Sequence, residues 1–356
     1  MIKILHTADL HLDEEREERW AALAEIVKLG REEQIDVLVI SGDLFDQHTD
    51  VERLRSRWRE IWEDADFQTL ILPGNHDYSC YREGLALGER VQVIQNFDEP
   101  VEIEDVRFWG MPCEIQGSAG IAARLHSRKR DLDEGETDIL LFHGELLDSF
   151  FSRQDLGDEG YERYMPLKLA YLKDLPFDYV LAGHFHARFA VWDLEQGGYF
   201  VYPGSPVSVT RHETGPRKVN IFTVGDQPCA RVLETLHYEE VNIHLDPWDG
   251  SRNPIEIVGG HLQELPAAAK AILSVKGFID GEKQGMGEKK LVKEIDRIAG
   301  PRCAGEINYA FQDIRPVLES EIFHLFIDKI EAANFPEEKK IGVRDMVIRA
   351  MMGVNS

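Results

Sequence analysis

Five times before residue 190, a short apolar run stops at a cluster of histidine, carboxylate or amide residues. Ile2–Leu5 leads to Asp9 and His11, and Val37–Ile40 leads to Gly42, Asp43 and Asp46. Thr69–Leu72 leads to Pro73-Gly74-Asn75-His76-Asp77. Ile139–Phe142 runs straight into His143, and Tyr179–Ala182 into Gly183, His184 and His186. Polar side chains at the end of a buried strand are costly unless something holds them, so each cluster needs partners. A Gly such as Gly74 lets backbone approach without a Cβ in the way. Several gaps between the runs carry helical spacing: Trp20, Leu23, Ile26, Val27 and Leu29 within 17–33, and a more charged version within 52–64. Strands alternating with helices predict α/β layers. Ligands in such sheets bind beyond the carboxyl ends of the strands, where all five clusters lie.

Composition narrows the possibilities. At 356 residues, two domains are expected. No run approaches the roughly 18 uncharged apolar residues of a membrane helix. Met1-Ile2-Lys3-Ile4-Leu5-His6 is too short and polar for a signal peptide and reads as a first strand. Cys80, Cys113, Cys229 and Cys303 are scattered without a C-x-x-C pair, which fits reduced thiols in a cytoplasm. Forty basic against 65 acidic residues, a net charge of −25, argue against nonspecific adhesion to nucleic acid or anionic membrane. A bound polyanion would need local basic loops and cations to offset that repulsion.

Residues 107–110, 199–202 and 219–224 read as further strands and suggest a second sheet packed on the first. The sequence divides into a first domain over 1–236, a connector over 237–253, a small α+β domain over 254–317 and a closing helix pair over 318–356. Pro247 and Gly250 mark the connector because both break regular structure. The α+β pattern reads as strand 254–258, helix 261–270, strand 272–279, helix 288–299 and strand 306–311. The closing helices are expected over 319–333 and 337–352.

A mixed set of carboxylate, imidazole and amide oxygen suits Mn, Fe or Zn rather than Ca or Mg alone. There are too many such groups for one ion. Two ions about 3.5–4 Å apart would share a carboxylate and clamp the attacking and leaving oxygens of a phosphoryl displacement.

The ordered blocks, D-x-H, G-D-x-x-D, G-N-H-D, H and G-H-x-H, resemble the calcineurin-like metallophosphoesterase superfamily across about residues 3–205. Ile4-Leu5-His6-Thr7-Ala8-Asp9-Leu10-His11-Leu12, Gly42-Asp43-Leu44-Phe45-Asp46, the Phe177-Asp178-Tyr179-Val180 lead and Tyr202-Pro203-Gly204-Ser205 look like the SbcD family of DNA-repair exonucleases. The resemblance implies a two-sheet αββα sandwich followed by a small α+β capping domain. It implies that Asp9, His11 and His186 hold one ion and Asn75, His143 and His184 the other, with Asp43 bridging. Mn is the expected metal, with Fe, Zn or Mg as alternatives. His76 would donate the proton to the leaving oxygen or clamp the phosphate, Asp77 would fix its ring, and a metal-bound hydroxide would attack. The implied activity is that of a DNA nuclease, 3'-5' exonuclease and single-strand endonuclease, working in DNA repair and recombination. Its partners would be DNA, an SbcC-type coiled-coil ATPase docked on the closing helices, and a second copy of the chain. A small-nucleotide phosphodiesterase or phosphoprotein phosphatase is the alternative, favoured by the acidic balance. A non-catalytic scaffold should have lost ligands, and every position here is filled.

Substrate contacts are sought in Ser205 and Arg211, and in the basic run containing Arg124 and Arg128. Arg217, Lys218, His48, His212 and Lys283, Lys289, Lys290 and Lys293 are weaker candidates. Ser205-Pro206-Val207-Ser208 departs from the Arg-containing form common in the nuclease family. His6 reads as a core or supporting histidine, and Asp46 as either a loop-orienting carboxylate or a helix cap.

Overall fold

In the computed structural model the first apolar run is β1 (Lys3–Thr7), and its neighbours Ile4 and Leu5 are both fully buried. They serve different layers. Side chains alternate across a strand, so Leu5 joins one apolar cluster and Ile4 another. The structure describes residues 1–47, 49–81, 85–112, 118–132, 135–149, 164–248 and 253–353.

The chain continues through α1 (Glu17–Glu32), β2 (Val37–Ser41), α2 (Val51–Trp62) and β3 (Gln68–Leu72). Asp50 starts α2 by accepting from Glu52 N at 3.3 Å. Next come β4 (Val91–Val93), β5 (Val101–Ile103), β6 (Val106–Met111), α3 (Ser118–Ser127) and β7 (Thr137–His143). β8 (Tyr179–Gly183), β9 (Ala190–Asp193), β10 (Tyr199–Tyr202), β11 (Lys218–Thr223) and β12 (Cys229–Val232) follow.

Two six-stranded sheets result, ordered β12-β11-β1-β2-β3-β4 and β5-β6-β7-β8-β10-β9. β1 through β4 are mutually parallel, as are β6, β7, β8 and β10, while β1–β11, β11–β12, β5–β6 and β9–β10 pair antiparallel. Between the sheets lie Ile4, Val37, Val39 and Leu72 against Phe108, Ile139, Leu141 and Val201. Trp20, Leu23, Leu54 and Trp58 of α1 and α2 cover the outer face of the first sheet, and Ile121 and Leu125 of α3 help cover that of the second. The expected two-sheet α/β architecture is therefore the one adopted. Ser41 Oγ donates to Leu181 O at 2.8 Å, bonding β2 to β8 across the sheets beside the strand ends that carry the polar clusters.

Residues 1–238 and 239–356 form two compact units. The second begins within β13 (His237–Leu245), where the sequence predicts a connector. Its alternation of buried Val241, Ile243 and Leu245 with exposed Asn242 and His244 is the period-two signature that the following Pro and Gly obscure. Next is α4 (Pro254–Glu264), not a strand over 254–258: Asn253 accepts from Ile255 N at 2.9 Å and Pro254 takes the first helical position. β14 (Ala269–Ile279), α5 (Glu288–Ala299) and β15 (Asn308–Asp313) complete a three-stranded sheet ordered β13-β14-β15. The chain closes with α6 (Arg315–Leu318), α7 (Glu321–Glu331) and α8 (Glu337–Met351). Among the described residues no helix is long and apolar enough to cross a membrane. Cys229 and Cys303 are free thiols, and Cys113 lies outside the described residues.

Candidate metal centre

Five strand ends of the first unit bring the clusters together. Asp9 and His11 follow β1, Asp43 follows β2, Asn75 and His76 follow β3, His143 ends β7, and His184 and His186 follow β8. The loops are laced to one another: Asp9 N donates to Gly42 O at 3.1 Å, and His11 N to Asp43 O at 2.9 Å. His76 N donates to Asp43 Oδ1 at 2.9 Å, and His184 N to Asp9 Oδ1 at 3.0 Å. Asp9, Asp43 and His143 are fully buried, and His184, His186 and His11 are no more than 3% exposed.

The backbone is strained here. Asp9, His11, Asp43 and His184 take φ of 57°, 48°, 49° and 96°, in the left-handed region that costs a non-glycine residue of order 1–3 kcal/mol. Three glycines make room. A Cβ on Gly42 would lie 1.9 Å from His143 Nδ1, one on Gly74 2.2 Å from Asp43 Oδ1, and one on Gly183 2.0 Å from Ser41 O. Gly74 thus admits the Asp43 side chain and backbone.

Ligand-type atoms converge in three sets, each within 4.8 Å: Asp9, His11 and His186; Asp43, His143 and His184; and His11, Asp43 and His76. His11 Nε2 and His186 Nε2 face each other at 3.3 Å, where they can share at most one proton. Asp43 Oδ2 is buried and makes no hydrogen bond of good geometry, although His143 Nε2 is 3.1 Å away. That nitrogen also lies 2.9 Å from Asn75 Oδ1, while His143 Nδ1 meets Ser41 O at 2.8 Å. Burial raises the Asp9 pKa. Burial would also raise Asp43, but the adjacent His143, His11 and His76 hold it well below the usual range. Burial alone would lower His143, yet Asp43 and Asp9 raise it to about 10. The carboxylates therefore demand positive charge at this position. Nitrogen and oxygen donors buried this closely fit divalent cations.

Around the cluster, several residues take roles other than those their sequence context predicts. Asp77 does not steady His76. Its carboxylate turns inward and accepts from Gly74 N at 2.7 Å, Leu44 N at 2.9 Å, Phe45 N at 3.2 Å and Tyr81 Oη at 2.8 Å. Burial and the Asp43 charge push its pKa up to about 6, while those four donors favour the ionised form. Each buried donor left unpaired costs about 1–3 kcal/mol. Asp77→Ala is therefore expected to lose about 3 kcal/mol or more, with Asp77→Asn losing less, read from urea unfolding midpoints.

The carboxylate beside His76 is Asp46, whose Oδ1 lies 3.6 Å from His76 Nδ1 and 3.9 Å from His11 Nδ1. Arg19, only 7% exposed, anchors Asp46 at 2.7 Å and also donates to His11 O. Burial would raise the Asp46 pKa, but His11, His76 and Arg19 lower it strongly. Of Asp46's two readings, the structure supports loop orientation.

Ser205 is fully buried, and its hydroxyl donates to Glu213 Oε2 at 3.0 Å, so it is a support residue and not a substrate contact. Arg217 is likewise buried, donating to main-chain carbonyls of Ser205 and His186. His6 is a core histidine, fully buried, and burial lowers its pKa to about 3. Arg211 and His212 are exposed, as are Lys283, Lys289, Lys290 and Lys293. Arg128 pairs with Asp98 and Asp131, and Arg124 lies over the Phe97 ring. His48 lies outside the described residues.

Residues 2–188 match the sequence profile described as Calcineurin-like phosphoesterase. The chain is similar to the DNA double-strand break repair protein Mre11 of Saccharolobus solfataricus, 26% identical over 229 residues, covering 58% of this chain and 55% of that protein. It is similar to the SbcD component of the nuclease SbcCD of Staphylococcus epidermidis, 24% identical over 254 residues, covering 61% of this chain and 64% of that one. The chain thus spans 55% and 64% of the lengths of these relatives. Among solved structures, TT1561 of Thermus thermophilus matches 61% of this chain and 93% of that one at 17% identity, with a TM-score of 0.43. Because the profile match runs over more than half of the 356 residues, the chain belongs to the calcineurin-like phosphoesterase family.

Proposed function

We propose that this phosphoesterase is a DNA nuclease that uses two divalent cations, Mn before Fe, Zn or Mg, to hydrolyse phosphodiester bonds at DNA ends and in single strands. The observation that carries the reading is the pair of buried donor sets, Asp9–His11–His186 and Asp43–His143–His184, with His11 Nε2 only 3.9 Å from Asp43 Oδ2. In this reading Asp9, His11 and His186 would hold one cation, Asn75, His143 and His184 the other, and Asp43 would serve both. When bound, such a pair supplies the nucleophile and offsets the charge on the phosphate.

The protein's own part is positional. His76 sits at the rim with 24% of its side chain exposed, so its imidazole can reach a bound phosphate. Asp46 orients that ring from one side and Arg19 fixes Asp46 from behind, leaving the imidazole to hand a proton to the leaving oxygen. The names of the two relatives, a DNA repair protein and a nuclease, support DNA as the substrate over a small nucleotide.

In the second unit, Ile322 and Leu325 on α7 and Met346 on α8 are 73%, 64% and 69% exposed. Spaced three apart, Ile322 and Leu325 share a helix face. They offer an apolar contact to the coiled-coil ATPase that a nuclease of this kind would work with in DNA repair in the cytoplasm. Arg211, Arg124 and Arg128 are proposed contacts to the DNA backbone.

Labelled single- and double-stranded DNA, incubated with the Mn-loaded chain, tests this. Cleavage by the wild type that falls about 10²–10⁴-fold in His76→Ala, with metal content unchanged, is the expected result. Intact DNA alongside hydrolysis of bis-p-nitrophenyl phosphate would move the assignment to a small-diester phosphodiesterase, the reading that the net charge of −25 favours. Loss of metal from His76→Ala would make His76 a ligand, as its set with His11 and Asp43 also allows.

A further inference from the structure

Glu213 is fully buried in the loop between β10 and β11, and both of its oxygens face donors. Oε2 accepts from Ser205 Oγ at 3.0 Å and Val209 N at 2.7 Å. Oε1 accepts from Thr210 N and Thr210 Oγ1, each at 3.2 Å. The same Oε1 lies 3.3 Å from His186 Nδ1, the ring edge turned away from Asp9 and His11. Arg217 clamps this arrangement from outside through the His186 and Ser205 carbonyls.

An ionised carboxylate can only accept hydrogen bonds. Facing Oε1, His186 must therefore carry its hydrogen on Nδ1. The Nε2 lone pair then points to the opposite edge, which lies 3.8 Å from Asp9 Oδ1 and 3.3 Å from His11 Nε2. His143 has a comparable anchor, but it is the main-chain oxygen of Ser41 at 2.8 Å, not a charged group. The two halves of the centre are thus supported differently.

We propose that Glu213 is the positioning residue for His186, holding the ring in its Nδ1–H form and so setting the cation affinity of the Asp9–His11–His186 half of the centre. This role rests on the two-cation reading above. Removing such a support behind a metal-binding histidine weakens binding about 10–100-fold.

Isothermal titration of the chelator-stripped full chain with Mn2+ tests it. In Glu213→Gln, which keeps the size and loses the charge, one of two Mn2+ sites is expected to weaken about 10–100-fold while the other is unchanged. Wild-type affinity at both sites in folded Glu213→Gln overturns the proposal. So does equal weakening at both, the mark of general damage. A wild type that takes up no Mn2+ overturns instead the two-cation reading. Should Glu213→Gln fail to fold, 15N NMR of the Zn2+-loaded wild type decides: a proton on His186 Nδ1 with Zn2+ on Nε2 is expected, and Zn2+ on Nδ1 overturns the proposal.

Discussion

Asp43→Ala is expected to abolish phosphodiester hydrolysis and to release metal from both halves of the centre. Asp43 lies close to both histidine groups, 3.9 Å from His11 Nε2 and 3.1 Å from His143 Nε2. Under the proposed two-cation arrangement, each half would then lose an anionic ligand, and the separation of the cations would no longer be fixed. A cation pair supplies both the nucleophile and the charge compensation, so a loss of about 10³-fold or more in kcat/KM is expected, against about 10²–10³-fold for removing one preorganised donor. The partner measurement is metal content by elemental analysis, in which Asp43→Ala should fall well below two equivalents. His76→Ala, in contrast, should lose rate and keep its metal. Full metal retention by Asp43→Ala would remove the bridging role.

The second large effect is on stability. Gly42 has φ +96°, and a Cβ there would stand 1.9 Å from His143 Nδ1. His143 cannot swing away, because its Nδ1 is held by Ser41 O at 2.8 Å and its ring is fully buried. The left-handed backbone costs about 1–2 kcal/mol for any L side chain, and overpacking about 1–3 kcal/mol more. Gly42→Ala should therefore lose about 3 kcal/mol, or roughly 6–12 °C in Tm for a domain of this size. Gly197 is the control, with φ +94° and nothing within 4 Å of its Cβ position. Gly197→Ala should show the backbone cost alone, about 1–2 kcal/mol. If the two variants unfold at the same urea concentration, crowding against His143 contributes nothing.

How much of this is legible in the sequence follows from the range of the interactions. β1, β2, β3, β7 and β8 stand out because parallel strands buried on both faces need continuous apolar runs, and the candidate ligands sit directly after them. The sharing of roles around His76 is less legible. Adjacency suggests Asp77 as its partner, but a tight turn points neighbouring side chains apart. The Asp77 carboxylate goes to Gly74 N and Tyr81 Oη nearby and to Leu44 N and Phe45 N of the loop after β2, while Asp46, thirty residues upstream, takes the place beside the ring. Glu213 has no local mark at all, since its contact with His186 spans 27 residues. Ser205 lies in a motif that resembles a substrate loop, yet its hydroxyl points inward to Glu213. In the second unit, Ile255, Ile257 and Val258 look strand-like by composition, and the Asn253–Pro254 cap overrides that preference.

The most direct measurement is an anomalous difference map from crystals of the chain saturated with Mn2+, collected at the manganese edge. Two peaks about 3.5–4 Å apart are expected, one bounded by Asp9, His11 and His186, the other by Asn75, His143 and His184, with Asp43 between them. A single peak, or density away from Asp43 at saturating Mn2+, would contradict the account.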